Sequence, residues 1–175
     1  MSRDPRRPLP PLDQPALERA ALRYVERYAT TRAKLVAYLH RKLRERGREG
    51  EIDVDALADR MAELRYVDDR AFAEARVASM TRRGLGARRV RDALRQAGVG
   101  EEETSEFHDT LEEGAEGAAL AFARRKRIGP FATVPVERDR REKQIAAMVR
   151  AGHAPALARR IVGLPASDDD ADWDG

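Results

Sequence analysis

Cysteine is absent from the 175 residues, so the chain has no disulfide framework and no thiolate nucleophile or thiolate metal ligand. Aromatic residues make up only 5% of it. No purely apolar run approaches the length needed to span a bilayer. The first residues, MSRDPRRPLPPLDQP, contain no apolar core segment, which argues against a secretory signal and for a cytoplasmic location. There is no phosphate-binding glycine loop, no dinucleotide glycine fingerprint and no serine in a strand-to-helix elbow. His40, His108 and His153 lie far apart and share no ligand spacing with acidic residues, so surface or packing roles are expected for them. Asp68 and Asp69 are adjacent carboxylates, but neighbours on a helix do not face each other, which favours helix capping over acid–base work. These absences argue against an enzyme and imply neither a cofactor nor a metal.

What the chain has in abundance is charge, and the charge is partitioned. Residues 66–99 hold 8 Lys/Arg against 4 Asp/Glu, and residues 114–165 hold 11 against 4. Between them, residues 100–113 hold 7 acids and no cation, and residues 166–175 hold 5 acids and no cation. Residues 14–65 are nearly balanced at 12 against 9. Of the 34 cations, 30 are arginine, whose planar fork matches phosphates and carboxylates. A GC-rich coding sequence explains that bias equally well, so the clustering is the more informative feature.

Apolar periodicity predicts nine helices and no strand. The first three cover about 15–28, 31–46 and 54–64. Their apolar faces are Leu17, Ala21, Tyr24 and Tyr28; then Leu35, Leu39 and Leu43; then Val54, Leu57, Met61 and Leu64. Asp53 is placed to cap the third. The fourth starts at the cap Asp68, carries Phe72, Ala73, Val77 and Met80, and stops at Gly84. Gly86 opens the fifth, with Val90, Leu94 and Ala97 inward and Gly98–Val99 as its stop. Four more are expected at about 101–112, 114–128, 136–151 and 154–162. The pattern Leu43-x-x-x-Gly47, Leu94-x-x-x-Gly98, Met148-x-x-x-Gly152 recurs at steps of 51 and 54 residues. It marks the middle helix of three successive three-helix units. Each is small for a core of its own and gains by stacking on its neighbours. The expected fold is all-α: an elongated array of repeats at 14–65, 66–113 and 114–165. A Pro/Arg-rich tail at 1–13 and an acidic tail at 166–175, which holds the sole tryptophan Trp173, are expected to be disordered.

The candidate binding residues are the clustered cations. Arg88, Arg91 and Arg95 fall in one row at spacings of three and four. Arg82 and Arg83 precede the Gly84 turn; Arg124, Arg125, Lys126 and Arg127 form a run; Arg140, Lys143 and Arg150 form a second row. Together they favour an anionic partner, either a nucleic-acid backbone or an acidic protein surface. Few aromatics accompany these clusters, so a base-stacking platform is not expected and any DNA contact is backbone-directed and salt-dependent. A helix-turn-helix-like direct DNA binder is the rival reading.

Residues 66–99 also resemble a known family. Tyr66-Val67-Asp68-Asp69-Arg70-Ala71-Phe72-Ala73, Gly86-Ala87-Arg88-Arg89-Val90 and Leu94-Arg95-Gln96-Ala97-Gly98-Val99 resemble the central repeat of the RecX family, regulators of the RecA recombinase. The three-unit layout over residues 15–163 agrees with that family's tandem three-helix repeats. The third unit departs from the family's usual Arg-Gly-Phe ending, having Arg150-Ala151-Gly152-His153. The resemblance implies a monomeric helical modulator lying in the groove of the RecA–DNA filament. It would suppress ATP hydrolysis and strand exchange, or promote filament disassembly, in DNA repair and the SOS response.

Overall fold

The computed structural model describes residues 10–132 and 137–165. The expectations for residues 1–9, for the acidic tail and for Trp173 lie outside the described residues. Among the described residues the chain is all-α: helices α1 (Gln14–Arg27), α2 (Arg32–Arg46), α3 (Val54–Glu63), α4 (Asp69–Arg82), α5 (Ala87–Gln96), α6 (Glu101–Ser105), α7 (His108–Glu113), α8 (Ala115–Lys126), α9 (Arg138–Arg150) and α10 (Pro155–Gly163), with one 3-10 turn at Gly129–Phe131. No described helix is long and apolar enough to cross a membrane.

Local chemistry sets most of the boundaries. Asp13, Asp53 and Asp68 each accept the backbone N–H three residues on, at 2.8–2.9 Å, and so start α1, α3 and α4. Thr31 does the same for α2 through the N–H of Lys34. Gly47, Gly84, Gly98 and Gly152 take positive φ at the helix stops, where a side chain would be strained.

Three expectations are corrected. The helix expected at 101–112 is broken at Glu106–Phe107 into α6 and α7. Thr104 Oγ1 donates to the Gly100 carbonyl and Ser105 Oγ to the Glu102 carbonyl, and such side-chain bonds compete with a straight helical ladder. Leu64 and Tyr28, expected inside, are 54% and 49% exposed. Arg65 enters the left-handed region (φ 62°) just past α3, and Tyr28 stands in extended conformation past the end of α1. Residues 10–13 of the expected tail are pinned. Leu12 is buried, and its backbone bonds the Gly47 carbonyl at 3.0 Å and the Glu49 N–H at 2.9 Å.

The chain divides into two compact units, residues up to Phe72 with Ala97–Val99, and Ala73–Gln96 with residues from Gly100 onward. In the first, Leu17 and Ala21 of α1, Leu35 and Leu39 of α2, and Val54, Leu57, Ala58 and Met61 of α3 form one core, closed by Leu12 and Val67. Each leucine fully buried there contributes about 1.5–3 kcal/mol. Arg32 ties α2 to α3 through Asp59 (2.6 Å) and Asp55 (3.2 Å). Thr31 Oγ1 also donates to the Ala97 carbonyl, a buried bond that fixes residues 97–99 in this unit. In the second, Ala119, Phe122 and Ala123 of α8 pack with Met148 of α9, Ala151 just past its end, and Ala158, Ile161 and Val162 of α10.

Candidate functional site

The turn that joins α4 to α5 is clamped by backbone contacts within the second unit. The Gly86 N–H donates to the Ala151 carbonyl at 3.0 Å, and the Arg88 N–H donates to the Gly152 carbonyl at 3.2 Å. The unsatisfied N–H groups at the start of α5 thus meet the unsatisfied carbonyls at the end of α9, so each helix end caps the other. The approach is so close that a Cβ on Gly86 would lie 2.3 Å from the Gly152 carbonyl carbon and 2.4 Å from the His153 nitrogen. A Cβ on Gly84 would lie 2.5 Å from the Phe122 backbone nitrogen. His153 completes the clamp: buried, edge-on to Phe122 at 5.6 Å, it donates from Nε2 to the Gly84 carbonyl at 3.1 Å.

His153 is therefore a packing residue, and its surroundings depress its proton affinity. Burial lowers its pKa below the ordinary 6.5 and outweighs the opposing effect of the Gly84 carbonyl. Its Nδ1 is buried without a hydrogen-bond partner, so a proton there would be unsolvated. The unfolded chain binds that proton near pH 6.5 and the folded unit only at lower pH. Stability is thus greatest above pH 6.5 and falls as the pH drops toward the depressed value. Urea midpoints are expected to decrease between pH 8 and pH 5. His153→Gln, which keeps a donor for Gly84, is expected to lose most of that decrease. A variant whose pH slope matches the unmodified chain would contradict this assignment.

The clamped turn determines where the candidate cations sit. Arg82 and Arg83 are exposed at the C-terminal end of α4, and Arg124, Arg125 and Lys126 at that of α8, with Arg127 just beyond in the left-handed region. The fold brings these two helix ends together. The Arg125 guanidinium donates to the Arg83 carbonyl and lies 5.6 Å from the Phe122 ring, while Arg124 stacks on Phe131 at 5.2 Å. The negative ends of two helix dipoles favour these cations. None of the described ion pairs neutralises them.

The row on α5 is different. Arg88 is exposed, but Arg91 is half-buried and faces Glu112 of α7 at 3.7 Å, and Arg95 pairs with Asp92 one turn earlier. Arg91 lines two grooves, one shared with Arg88 and His153, the other with Arg95, Glu101 and His108. The three do not form the uniform outward row that spacing alone suggests; the acidic α6–α7 segment folds back against it. Arg140, Lys143 and Arg150 are exposed along α9. The Arg88 backbone bonds Gly152, two residues beyond Arg150, so the α5 and α9 rows meet at that turn.

The first unit has a basic face of its own. Residues 14–48 hold ten Lys/Arg and three Asp/Glu, and residues 49–65 hold two against six. Averaging over 14–65 cancels the two, whereas a narrower window exposes a basic α1–α2 surface. It also carries three of the chain's four tyrosines, Tyr24, Tyr28 and Tyr38.

Comparison with known proteins gives one consistent answer. A family model described as the second three-helix domain of RecX matches residues 68–106. A protein of Myxococcus xanthus named "Regulatory protein RecX" is 34% identical over 83% of both chains. Namesakes from Thermobifida fusca (35%, covering 81% of this chain and 74% of that one) and Halorhodospira halophila (33%, covering 89% and 91%) match similarly. Two solved structures share the fold. One, titled as a regulatory protein RecX, has a TM-score of 0.63 at 24% identity, covering 85% of this chain and 70% of that one. The other, RecX from Lactobacillus salivarius, has 0.58 at 18% identity, covering 83% and 92%. These relatives are named as regulatory proteins, not as enzymes.

Proposed function

The chain belongs to the RecX family of regulatory proteins, and on that premise we propose that it binds the RecA–DNA filament and modulates it. The principal effect is inhibition of DNA-dependent ATP hydrolysis and strand exchange, in DNA repair and the SOS response. In this reading it works in the cytoplasm as a monomeric array of three-helix repeats, 14–65, 66–113 and 114–165.

The observation that carries this reading is the convergence of the α4 and α8 ends. Six cations, Arg82, Arg83, Arg124, Arg125, Lys126 and Arg127, gather beside a turn fixed by backbone bonds, with no described carboxylate pairing them. Like charges held together repel one another and are stabilised by an anionic partner. A filament offers one repeatedly, as DNA phosphate and as acidic protein surface. Contacts weak one at a time add through effective concentration when several lie on one chain. A bound modulator changes the filament's activity only if it prefers one filament state over another, so occupancy of the groove must exclude the second DNA or favour the less active form.

Co-sedimentation separates this from simple DNA binding. At physiological salt the chain is expected to pellet with RecA–single-strand filaments at concentrations where naked single strands retain about tenfold less of it or lower, since backbone contacts alone fade with salt. Equal retention by naked DNA would favour a direct DNA binder.

A further inference from the structure

From the α1–α2 face we infer a second, separate binding surface: a tyrosine stack flanked by cations that takes a single strand of nucleic acid by base stacking.

The geometry lies wholly within the first unit. Tyr24 of α1 and Tyr38 of α2 stack with centroids 4.1 Å apart and planes 13° from parallel. Tyr28 packs against Tyr24 at 5.3 Å with its plane tilted by 49°, and is half exposed. Cations lie over the rings at both ends: Arg27 over Tyr28 at 5.6 Å, and Arg41 and Lys42 over Tyr38 at 5.4 and 5.8 Å. Glu45 holds the latter two in place, at 2.8 Å from Lys42 and 3.7 Å from Arg41, and is the one acid among seven charged residues of α2.

A lone exposed tyrosine needs no explanation. A stacked pair of rings, extended by a tilted and half-exposed third, with cations at both ends, matches the two requirements of a single-strand site: an accessible aromatic surface for a base and positive charge for the flanking phosphates. An acidic peptide would use the cations and leave the ring face idle. A duplex would offer phosphates with its base faces already stacked. The surface thus has a half-exposed ring, whereas Phe122 beside the basic cluster of the second unit is buried, and it does not depend on any recombinase.

The test uses the full-length chain alone and compares an oligothymidylate with an abasic deoxyribose-phosphate strand of equal length. The unmodified chain is expected to bind the thymidylate about tenfold more tightly, the scale of one stacked base. Tyr28→Ala is expected to abolish that preference while abasic binding, due to cations anywhere on the chain, stays the same. Tyr28→Trp is expected to keep or raise it. Tyr28 lies outside the core, so circular dichroism should be unchanged. Oligouridylate and oligodeoxyuridylate are expected to bind within about threefold of each other, because a ring face reads the base and not the sugar. Equal binding of thymidylate and abasic strand by the unmodified chain would overturn the inference, as would a preference that survives in a folded Tyr28→Ala protein. A tenfold preference for either sugar would overturn the stacking mechanism.

Discussion

Gly86→Ala is expected to destabilise the second unit by about 3 kcal/mol, near the upper end of ordinary overpacking. The added methyl would stand 2.3–2.4 Å from backbone atoms of Gly152 and His153, which cannot rotate away as a side chain could. Relief requires α5 to lift from α9, and that breaks the Gly86–Ala151 and Arg88–Gly152 hydrogen bonds together. Gly152→Ala should be at least as damaging, since its φ of +99° is strained for any side chain and its methyl would meet the Arg89 backbone nitrogen at 2.5 Å. Gly117 is the internal control. It lies inside α8 with open space around it, so Gly117→Ala is expected to stabilise by about 0.5–1 kcal/mol. Urea unfolding followed by circular dichroism ranks the three. A Gly86→Ala protein as stable as the Gly117→Ala one would show that the tight junction does not support the unit.

The second large effect concerns charge. Arg82→Glu, Arg83→Glu, Arg124→Glu and Lys126→Glu combined are expected to weaken filament association by roughly 100-fold or more at low salt. If these groups meet phosphates, the salt slope should drop by about 0.7–0.9 for each phosphate no longer neutralised. Arg125 is left in place because its guanidinium bonds the Arg83 carbonyl and shields Phe122. The same reversal on α5 is expected to do less for binding and more harm to structure. Arg91 and Arg95 already have Glu112 and Asp92 as partners, and a glutamate at either position would face a carboxylate. Binding measured across a salt series, with folding checked by circular dichroism, separates the two sets. If the Arg88, Arg91 and Arg95 reversal proves the more severe for binding while folding holds, the α4–α8 cluster is not the principal contact.

Features governed by neighbours in sequence are readable from it. Asp53 and Asp68 cap the helices they precede, and the recurrent apolar-x-x-x-Gly ends fall at glycines of positive φ. The central repeat is recognisable from residues 66–99, and the family model matches nearly the same stretch. What escapes depends on distant partners or on window width. Nothing near Gly86 in the sequence announces that Gly152 will press on it, 66 residues later. Arg91 reads as an outward arginine until α7 folds back with Glu112. Leu64 continues the apolar stripe of α3 and still faces solvent, because the left-handed turn at Arg65 redirects the chain. The tyrosine stack is hidden twice over: the basic α1–α2 segment averages out against the acidic residues after it, and helical spacing assigns Tyr28, which is half exposed, to the core.

RecA ATP hydrolysis on single-stranded DNA, titrated with this chain, tests regulation most directly. The expected result is a saturable fall in rate with the unmodified protein, reached below one copy per recombinase subunit if each chain spans several. The four-fold charge-reversed protein should require at least about 100-fold more for the same effect. A hydrolysis rate indifferent to the unmodified protein, in conditions where the two co-sediment, would contradict the account.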